Sequence, residues 1–190
     1  MKILITGASG FLGKNLAAAL GCIKNGTDAV NSDLEINDIL LYDKEDGRDT
    51  LEKFCRECDF VFHFAGVNRA DCREDFFDGN TGCARELVKA LSRPKNNCPV
   101  VFASSEKVET DDSDYASSKR EAEDIFLEYS ASCSADVMIY RFTHIFGKLC
   151  RENYNSVVAT FCHNTARSLP IKIVDPDNKI SLVYIDDLVN

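Results

Sequence analysis

A tyrosine and a lysine four residues apart are the side chains in this sequence best suited to move a proton. Tyr115 and Lys119 begin and end the stretch YASSK, where the pattern predicts a helix, so both side chains lie on one helix face. An ammonium beside a phenol favours the phenolate and lowers the pKa of the phenol. The pair suits oxidation of an alcohol or reduction of a ketone, with hydride carried by a nicotinamide. A solvated pair of side chains four residues apart on a helix surface is the ordinary alternative.

A serine at the end of a predicted strand would complete this site. Ligands of parallel sheets bind beyond the carboxyl ends of the strands, and the strand predicted from Val100 to Ser104 runs into Ser105. Because neighbouring strand positions face opposite ways, only one of the two serines can face the tyrosine. We expect Ser105 to bond the substrate oxygen and Ser104 to bond the backbone.

Three glycines follow the first predicted strand in the stretch GASGFLG, residues 7–13. In a dinucleotide fold Gly7 permits the tight turn, Gly10 lets the pyrophosphate approach the backbone, and Gly13 allows close packing of helix on strand. The turn precedes a predicted helix, and helix N-termini bind phosphate. The spacing therefore predicts a dinucleotide site, with an ordinary strand-to-helix turn as the alternative.

Two charged residues of opposite sign follow the second predicted strand. An acid at this position bonds the 2′-hydroxyl of NAD, whereas a base accepts the 2′-phosphate of NADP. Asp43 favours NAD and Lys44 favours NADP, while a solvated turn explains both residues equally well. The cofactor preference stays undecided at this point.

Short apolar runs alternate with amphipathic segments along the whole chain. This alternation predicts an α/β fold, a Rossmann-type doubly wound parallel sheet with helices on both faces. The predicted strands are Lys2 to Thr6, Asp38 to Tyr42, Phe60 to Phe64, Val100 to Ser104, Val137 to Arg141, Ile171 to Val174 and Ser181 to Ile185. The predicted helices are Leu12 to Leu20, Asp49 to Cys58, one containing Arg85 to Leu91, Ser117 to Tyr129 and Val157 to Ser168.

Composition limits the partners. The 190 residues carry a net charge of -9, which argues against nucleic acid or an anionic membrane as a partner. We find neither a signal-peptide pattern nor an apolar run of membrane-spanning length, so we expect a cytoplasmic protein. The 9 cysteines are scattered, and Cys55 and Cys58 form the only C-x-x-C pair, so we predict buried thiols and no metal site.

Motifs along essentially the whole chain match one protein family. The matching residues are Gly7, Gly10, Phe11 and Gly13 in the glycine turn, His63, Phe64, Ala65 and Gly66 at the third strand, Asn80 in a helix, and Ser105, Tyr115 and Lys119 as a triad. Together they resemble the extended short-chain dehydrogenases/reductases, which include nucleotide-sugar epimerases, dehydratases and reductases. His63 lies in an apolar strand, and we expect a hydrogen-bonded core residue there.

The resemblance implies a role for each matched residue. Ser105 and Tyr115 would bond the substrate oxygen, Tyr115 would give the proton, and Lys119 would lower its pKa and bind the nicotinamide ribose. Asn80 would orient the lysine through water, although a helix cap explains an asparagine equally well. The implied cofactor-binding residues are Gly7, Gly10, Phe11, Leu12, Gly13, Asp43, Lys44, Phe64, Ala65, Gly66, Asn80, Tyr115 and Lys119.

A narrower resemblance comes from FAGVNR at residues 64–69, the short gap between Ser105 and Tyr115, and residues 153–162. These features resemble the N-terminal reductase domain of bacterial capsular-polysaccharide enzymes of UDP-N-acetyl-L-fucosamine synthesis, in which a cupin domain follows. The resemblance implies NADPH, with NADH as the other choice, and a 4-keto group on a UDP-linked N-acetyl-6-deoxyhexose. It leaves a homodimer, and a cupin on a longer or separate chain, as open expectations.

The resemblance also divides the chain. Residues 1–190 would form the NAD(P)-binding domain, with part of the substrate-binding region at about 143–190. We expect His144, Asn155 and Ser156 to contact the substrate, although an Asn/Ser turn capping a helix predicts the last two letters equally well. Related chains carry Pro-Asn where this one has Thr143 and His144. Because the sequence stops within a predicted helix, we expect a truncated substrate lobe.

Other functions stay open alongside the reductase. A 4-epimerase uses the same triad and retains NAD tightly, and a non-catalytic dinucleotide-binding fragment or sensor would need only the glycine turn. A 4,6-dehydratase is disfavoured, because Lys107 stands where that chemistry requires an acid.

Overall fold

The computed structural model describes residues 1–27, 33–173 and 175–189. The chain forms two compact units, Met1–Phe142 and Thr143–Asn190. Each unit is built around its own sheet of parallel strands. Among the described residues, no helix combines the length and the apolar character that crossing a membrane requires.

The first unit is built on five parallel strands in the order β2-β1-β3-β4-β5. The strands are β1 (Lys2–Thr6), β2 (Asp38–Tyr42), β3 (Phe60–His63), β4 (Val100–Ser105) and β5 (Val137–Phe142). The central strands β1 and β4 are apolar runs with almost every residue buried, which is typical of a parallel sheet covered on both faces. The predicted Rossmann-type fold is confirmed.

Helices connect these strands. They are α1 (Phe11–Lys24), α2 (Gly47–Glu57), α3 (Arg73–Phe77), α4 (Cys83–Ser92), α5 (Lys107–Thr110) and α6 (Asp114–Cys133), with a 3-10 turn at Lys44–Asp46 and a π-helical turn at Asp78–Gly82. The connection through α1 leads outward to β2, and the connection through α2 leads back across β1 to β3. Right-handed crossovers in opposite directions place α1 and α2 on opposite faces of the sheet.

The reversal of strand order between β1 and β3 determines where a ligand can enter. The first connection leaves β1 on one side and every later strand is added on the other side, so the loops after β1 and β3 diverge. Such a switch point opens a crevice beyond the carboxyl ends of the two strands. Thr6 and His63 are the last residues of these strands and occupy equivalent positions in the sheet.

The core lies between the sheet and the helices α2, α4 and α6. Phe102 on β4 and Phe126 on α6 are buried, and their ring centroids are 4.8 Å apart. Cys55, Cys58 and Cys98 belong to the same buried cluster. The prediction of buried thiols is therefore confirmed for the C-x-x-C pair.

Helix α6 carries both proton-transfer candidates and has defined ends. Ser113 is its N-cap, and the serine side chain accepts a hydrogen bond from the Ala116 N–H at 3.3 Å. The helix stops at Ser134, whose backbone is left-handed with φ of 57°. Tyr115 and Lys119 thus lie in the first two turns, near the carboxyl ends of the strands.

The second unit contains β6 (His144–Phe146), α7 (Val157–Ala166), β7 (Leu182–Tyr184) and α8 (Ile185–Val189). Strands β6 and β7 pair in parallel. The strand predicted at Ile171 to Val174 is wrong for residues 171–173, which have no regular structure, and residue 174 lies outside the described residues. The apolar letters there suggested burial, yet Ile171 and Ile173 are exposed, and the strand that pairs with β7 is β6.

Two glycines of α1 allow a matched test of helix packing. A Cβ on Gly13 would lie 2.3 Å from the Gly7 carbonyl oxygen, whereas a Cβ on Gly21 would meet nothing within 4 Å. We expect Gly13→Ala to lower the free energy of unfolding by about 1–3 kcal/mol through overpacking. Gly21→Ala should raise it by about 0.5–1 kcal/mol through helix propensity. Urea denaturation of both variants measures this, and equal effects would contradict the packing role of Gly13.

Candidate active site

A cavity of about 570 Å³ opens at the switch point between β1 and β3. Its lining comes from the loop after β1, the segment after β2, the loop after β3 and the start of α4. The predicted cofactor residues in this lining are Gly7, Gly10, Asp43, Lys44, Phe64, Ala65 and Gly66. Seven of the residues predicted to bind cofactor thus surround one space.

The glycine turn brings the backbone to the edge of this cavity. Gly7 has φ of 69°, and a Cβ on it would lie 2.6 Å from the Ala65 backbone nitrogen. Gly10 lines the cavity and caps α1, so the N-terminus of that helix begins at the cavity. The N–H groups of residues 7–10 donate within the protein, to the carbonyls of Tyr42 and Gly7 and to the Asp43 carboxylate. What the turn offers a pyrophosphate is therefore the positive end of the α1 helix dipole.

Asp43 reaches the glycine turn even though many residues separate the two in the sequence. Pairing of β1 with β2 sets Thr6 beside Tyr42, and the Asp43 Oδ2 atom then accepts a hydrogen bond from the Ser9 N–H at 2.8 Å. A carboxylate thus lies directly beside the glycine turn. Lys44 lies on the same side of the cavity with its side chain exposed.

Asn80 connects the loop after β3 to helix α6 through hydrogen bonds of its side-chain amide. Its amide accepts from the Val67 N–H and donates to the Val67 carbonyl and to the Ser118 hydroxyl, each at 2.9 Å. A Cβ on Gly66 would lie 2.7 Å from Asn80 Oδ1 and 3.9 Å from Lys119 Nζ. The asparagine lies inside the π-helical turn, so the alternative of a helix cap is wrong, and it is a direct neighbour of the lysine across Gly66.

Lys119 is buried and anchored to the sheet. Its Nζ donates to the Ala103 carbonyl at 2.5 Å and lies 4.2 Å from the centre of the Phe102 ring. Burial lowers the pKa of Lys119 to about 7, while the charges of Glu123 and Cys83 act in the opposite direction. An amine with this pKa changes its charge near neutral pH.

Tyr115 and Ser105 face each other across the junction of α6 and β4. Burial raises the pKa of the Tyr115 phenol, and a side-chain hydrogen bond with Ser105 partly opposes the rise. The expectation that Lys119 lowers this pKa is wrong, because burial dominates it and the lysine amine donates to the Ala103 carbonyl. The hydroxyl and the phenol nevertheless lie together, as the choice of Ser105 over Ser104 requires.

Ser104 also contacts α6, and its partner differs from the expected one. We expected a backbone partner, and the Ser104 hydroxyl instead donates to the carboxylate of Glu123 on α6. Both side chains are buried. A buried carboxylate needs hydrogen-bond donors, because an unpaired charge in the interior is costly, and the Ser104 hydroxyl is such a donor.

His63 is the hydrogen-bonded core residue that we predicted. Its Nδ1 shares a 2.7 Å hydrogen bond with the Thr6 hydroxyl, and its ring packs against Phe102 and Phe126. Burial, with a smaller contribution from the charge on Lys119, lowers its pKa to about 3. The imidazole is therefore neutral at physiological pH.

The remaining predicted residues lie elsewhere. Phe11 and Leu12 begin α1, and among the described residues the cavity lining contains neither of them, nor Gly13. In the second unit, His144 begins β6. Ser156 caps α7 by accepting from the Ala159 N–H at 3.3 Å, so the capping alternative holds for this serine.

The sequence reasoning missed an ion pair of a buried carboxylate with an exposed arginine, behind the proton-transfer residues. Glu123 lies four residues after Lys119 on α6 and pairs with Arg141 on β5 at 2.6 Å. The spacing from Lys119 was a usable signal, because residues four apart share a helix face. Arg141 was also visible as the lone charge in an apolar strand. Arg48 and Glu86, which line the cavity, carried no such signal.

Comparison with known proteins extends these findings. A model of the NAD dependent epimerase/dehydratase family matches residues 3–190. A UDP-2-acetamido-2,6-beta-L-arabino-hexul-4-ose reductase from Pseudomonas aeruginosa is 39% identical over 189 residues, which cover 100% of this chain and 48% of the reductase. The chain thus spans about half the length of this curated relative.

Solved structures agree with the fold. The capsular polysaccharide assembling protein CapF from Staphylococcus aureus is 34% identical with a TM-score of 0.80, covering 100% of this chain and 47% of CapF. A UDP-glucose 4-epimerase from Thermotoga maritima is 19% identical with a TM-score of 0.81, covering 100% of this chain and 71% of the epimerase. The second likeness supports the fold alone.

The neutral state of His63 predicts a pH dependence of stability. Its folded pKa of about 3 lies below the ordinary value of 6.5, so the unfolded chain binds a proton that the folded chain excludes between these values. Stability should therefore fall as the pH drops below 6.5. From pH 7 to pH 5 this residue should remove about 2 kcal/mol from the free energy of unfolding. Denaturation of the wild type and His63→Gln at both pH values measures the difference.

Between pH 7 and pH 5, His63→Gln should lose about 2 kcal/mol less of its free energy of unfolding than the wild type loses. It should nevertheless be less stable than the wild type at pH 7. An equal loss in both proteins, or an NMR signal of protonated His63 above pH 5, would contradict the buried neutral imidazole.

Proposed function

Because the chain belongs to the NAD dependent epimerase/dehydratase family, we propose that it reduces the 4-keto group of a UDP-linked N-acetyl-6-deoxyhexose with NADPH. The observation that carries the proposal is the meeting of Ser105 and Tyr115 at the end of β4, with Lys119 one helical turn away on the same helix face. The identity to a reductase of a UDP-linked 4-keto sugar supports the choice of substrate, and the likeness to CapF supports a role in capsular polysaccharide synthesis.

The cavity suits a dinucleotide. Gly10 caps the helix whose N-terminus would bind the pyrophosphate, and Asp43, bonded to the Ser9 N–H, is the residue proposed to meet the adenosine ribose. A side chain on Gly7 would strike Ala65 and one on Gly66 would strike Asn80, so the glycines allow the close packing that shapes the edge of the cavity. When bound, the nicotinamide supplies the hydride.

The protein supplies the proton and holds the carbonyl. The Ser105 hydroxyl bonds the keto oxygen, and Tyr115 gives its phenolic proton to that oxygen as the alcohol forms. The raised pKa of Tyr115 suits this direction, because the phenol is protonated and ready to donate at neutral pH. Lys119 lies one turn from Tyr115 on the same helix face, and its amine is proposed to bond the nicotinamide ribose.

The choice of NADPH is supported by cations at the ribose end of the cavity. Lys44 and Arg48 both line it beside Asp43, and either can approach a 2′-phosphate. Asp43 already accepts the Ser9 N–H, which reduces its capacity to bond a ribose 2′-hydroxyl. NADH is the alternative that a binding titration distinguishes.

The remaining parts of the proposal concern the second unit and the partners. His144, Asn155 and Ser156 are proposed to contact the nucleotide sugar, and residues 143–190 to form part of the substrate-binding region. A homodimer and a cupin domain on a longer or separate chain stay predictions that follow from the resemblance.

The first prediction from this proposal concerns substrate and cofactor. The protein should bind NADPH more tightly than NADH in a fluorescence titration, and should oxidise NADPH when given a UDP-linked 4-keto-6-deoxy-N-acetylhexose. The same sugar lacking the keto group is the control and should give no oxidation. NAD that survives purification would favour a 4-epimerase instead. Tight cofactor binding without oxidation of any keto sugar would favour a sensor.

The second prediction concerns the proton donor. Tyr115→Phe should lower the rate of NADPH oxidation by about 10²–10⁴-fold, because it removes the acid. Tyr129→Phe is the matched control on the same helix, since its phenol donates to the Asn96 carbonyl, before β4 begins, at the opposite end of the strand from Ser105. Steady-state kinetics should show a near-normal rate for the control. Comparable losses in both variants would show that the phenol acts through stability.

A further inference from the structure

A buried carboxylate stands one helical turn behind the lysine of the proposed site. Glu123 is 4% exposed and belongs to the helix that carries Tyr115 and Lys119. Residues four apart on a helix have Cβ atoms about 5–6 Å apart, so Glu123 is an immediate neighbour of Lys119 on the buried face. None of the roles proposed above uses this carboxylate.

The carboxylate is held on two sides. Arg141 on β5 donates to it in a bidentate manner, with Nε at 3.0 Å from Oε1 and an Nη atom at 2.6 Å from Oε2. The Ser104 hydroxyl on β4 also donates to Oε1. Bidentate arginine pairs and hydroxyl donors stabilise the ionised form, so Glu123 remains an anion in the interior.

The contacts of α6 involve three consecutive residues at the end of β4. The Lys119 amine donates to the Ala103 carbonyl, and Glu123 accepts from the next residue of the strand, Ser104. One residue further along, Ser105 meets Tyr115. Glu123 therefore fixes the helix against the strand at the residue directly beside the catalytic serine.

We propose that Glu123, held by Arg141, is a positioning residue that keeps the Lys119 amine charged and in place beside Tyr115. The proposal rests on the proposed function for its meaning in catalysis. The physical reason is that a buried cation such as the Lys119 ammonium is stabilised by a buried anion nearby, and Glu123 supplies that anion.

The other groups around Lys119 do not supply this charge. His63 on β3 is neutral, and Tyr115 on the same helix is a protonated phenol at neutral pH. Cys83 on α4 has a pKa raised by burial, so the thiol form predominates. Arg141, beyond Glu123, is itself a cation. Glu123 is thus the anion that acts on the amine from the elements packed around it.

The test measures the charge on Lys119 without cofactor or substrate. The full chain is labelled with ¹³C-lysine, and the Lys119 signal is assigned by its loss in Lys119→Arg. The wild-type signal should titrate near pH 7. In Glu123→Gln its midpoint should fall by about one pH unit or more, because the counter-charge is gone. An unchanged midpoint would overturn the proposal.

Glu109→Gln is the matched control. Glu109 also pairs with Arg141, and the change removes the same charge, but its side chain is exposed on α5. It should leave the Lys119 midpoint unchanged, and a shift equal to that of Glu123→Gln would overturn the proposal by assigning the effect to general electrostatics.

A measurement on the wild type keeps the test decisive if Glu123→Gln does not fold. In protein labelled with ¹³C-glutamate, the Glu123 carboxyl signal should inflect at the pH where Lys119 titrates, because interacting sites share titration steps. Absence of that inflection would overturn the proposal. Neither NMR measurement needs turnover, so both can be interpreted even if the reductase assay fails. A shifted Lys119 midpoint without reductase activity would refute only the proposed function.

Discussion

The seam between helix α6 and strand β4 is the constraint on which the site depends. Three side chains at successive turns of the helix meet three consecutive residues of the strand: Lys119 bonds Ala103, Glu123 bonds Ser104, and Tyr115 bonds Ser105. Each of these contacts has a short range and a preferred direction, so the three hold together for only one placement of the helix. Any slippage would separate phenol from hydroxyl.

Polar contacts in such a seam cost stability but define geometry. An apolar seam of similar volume would often be as stable, since burying charges removes them from water. An apolar surface would, however, accept small shifts of the helix at little cost. Glu123 with its bidentate partner Arg141 has fixed directions, and a displaced helix would leave a buried charge unpaired. The network therefore selects one register of α6 on the sheet.

Much of this arrangement was predictable from the sequence, and the exceptions share a cause. The bounds of β1 and β2 agree with the prediction, because an apolar run bounded by polar residues can be recognised from the local sequence alone. The π-helical turn at Asp78–Gly82 was not predicted. It places Asn80 between two parts of the chain that are distant in the sequence, and local residue types do not show such contacts. Likewise, the spacing of Tyr115 and Lys119 predicted a shared face but not that the amine would bond a strand carbonyl. Partners distant in the sequence decide such details.

The loop after β3 links the cavity to the seam. Gly66 lines the cavity on one side and packs against Asn80 and Lys119 on the other, so a single residue of backbone separates the proposed cofactor space from the buried amine. Asn80 holds that backbone through Val67 and holds α6 through Ser118. Because close-packed interiors transmit displacement, we expect a shift of this loop to change the packing around Lys119. Gly66 is therefore the residue at which the cavity and the surroundings of the lysine meet.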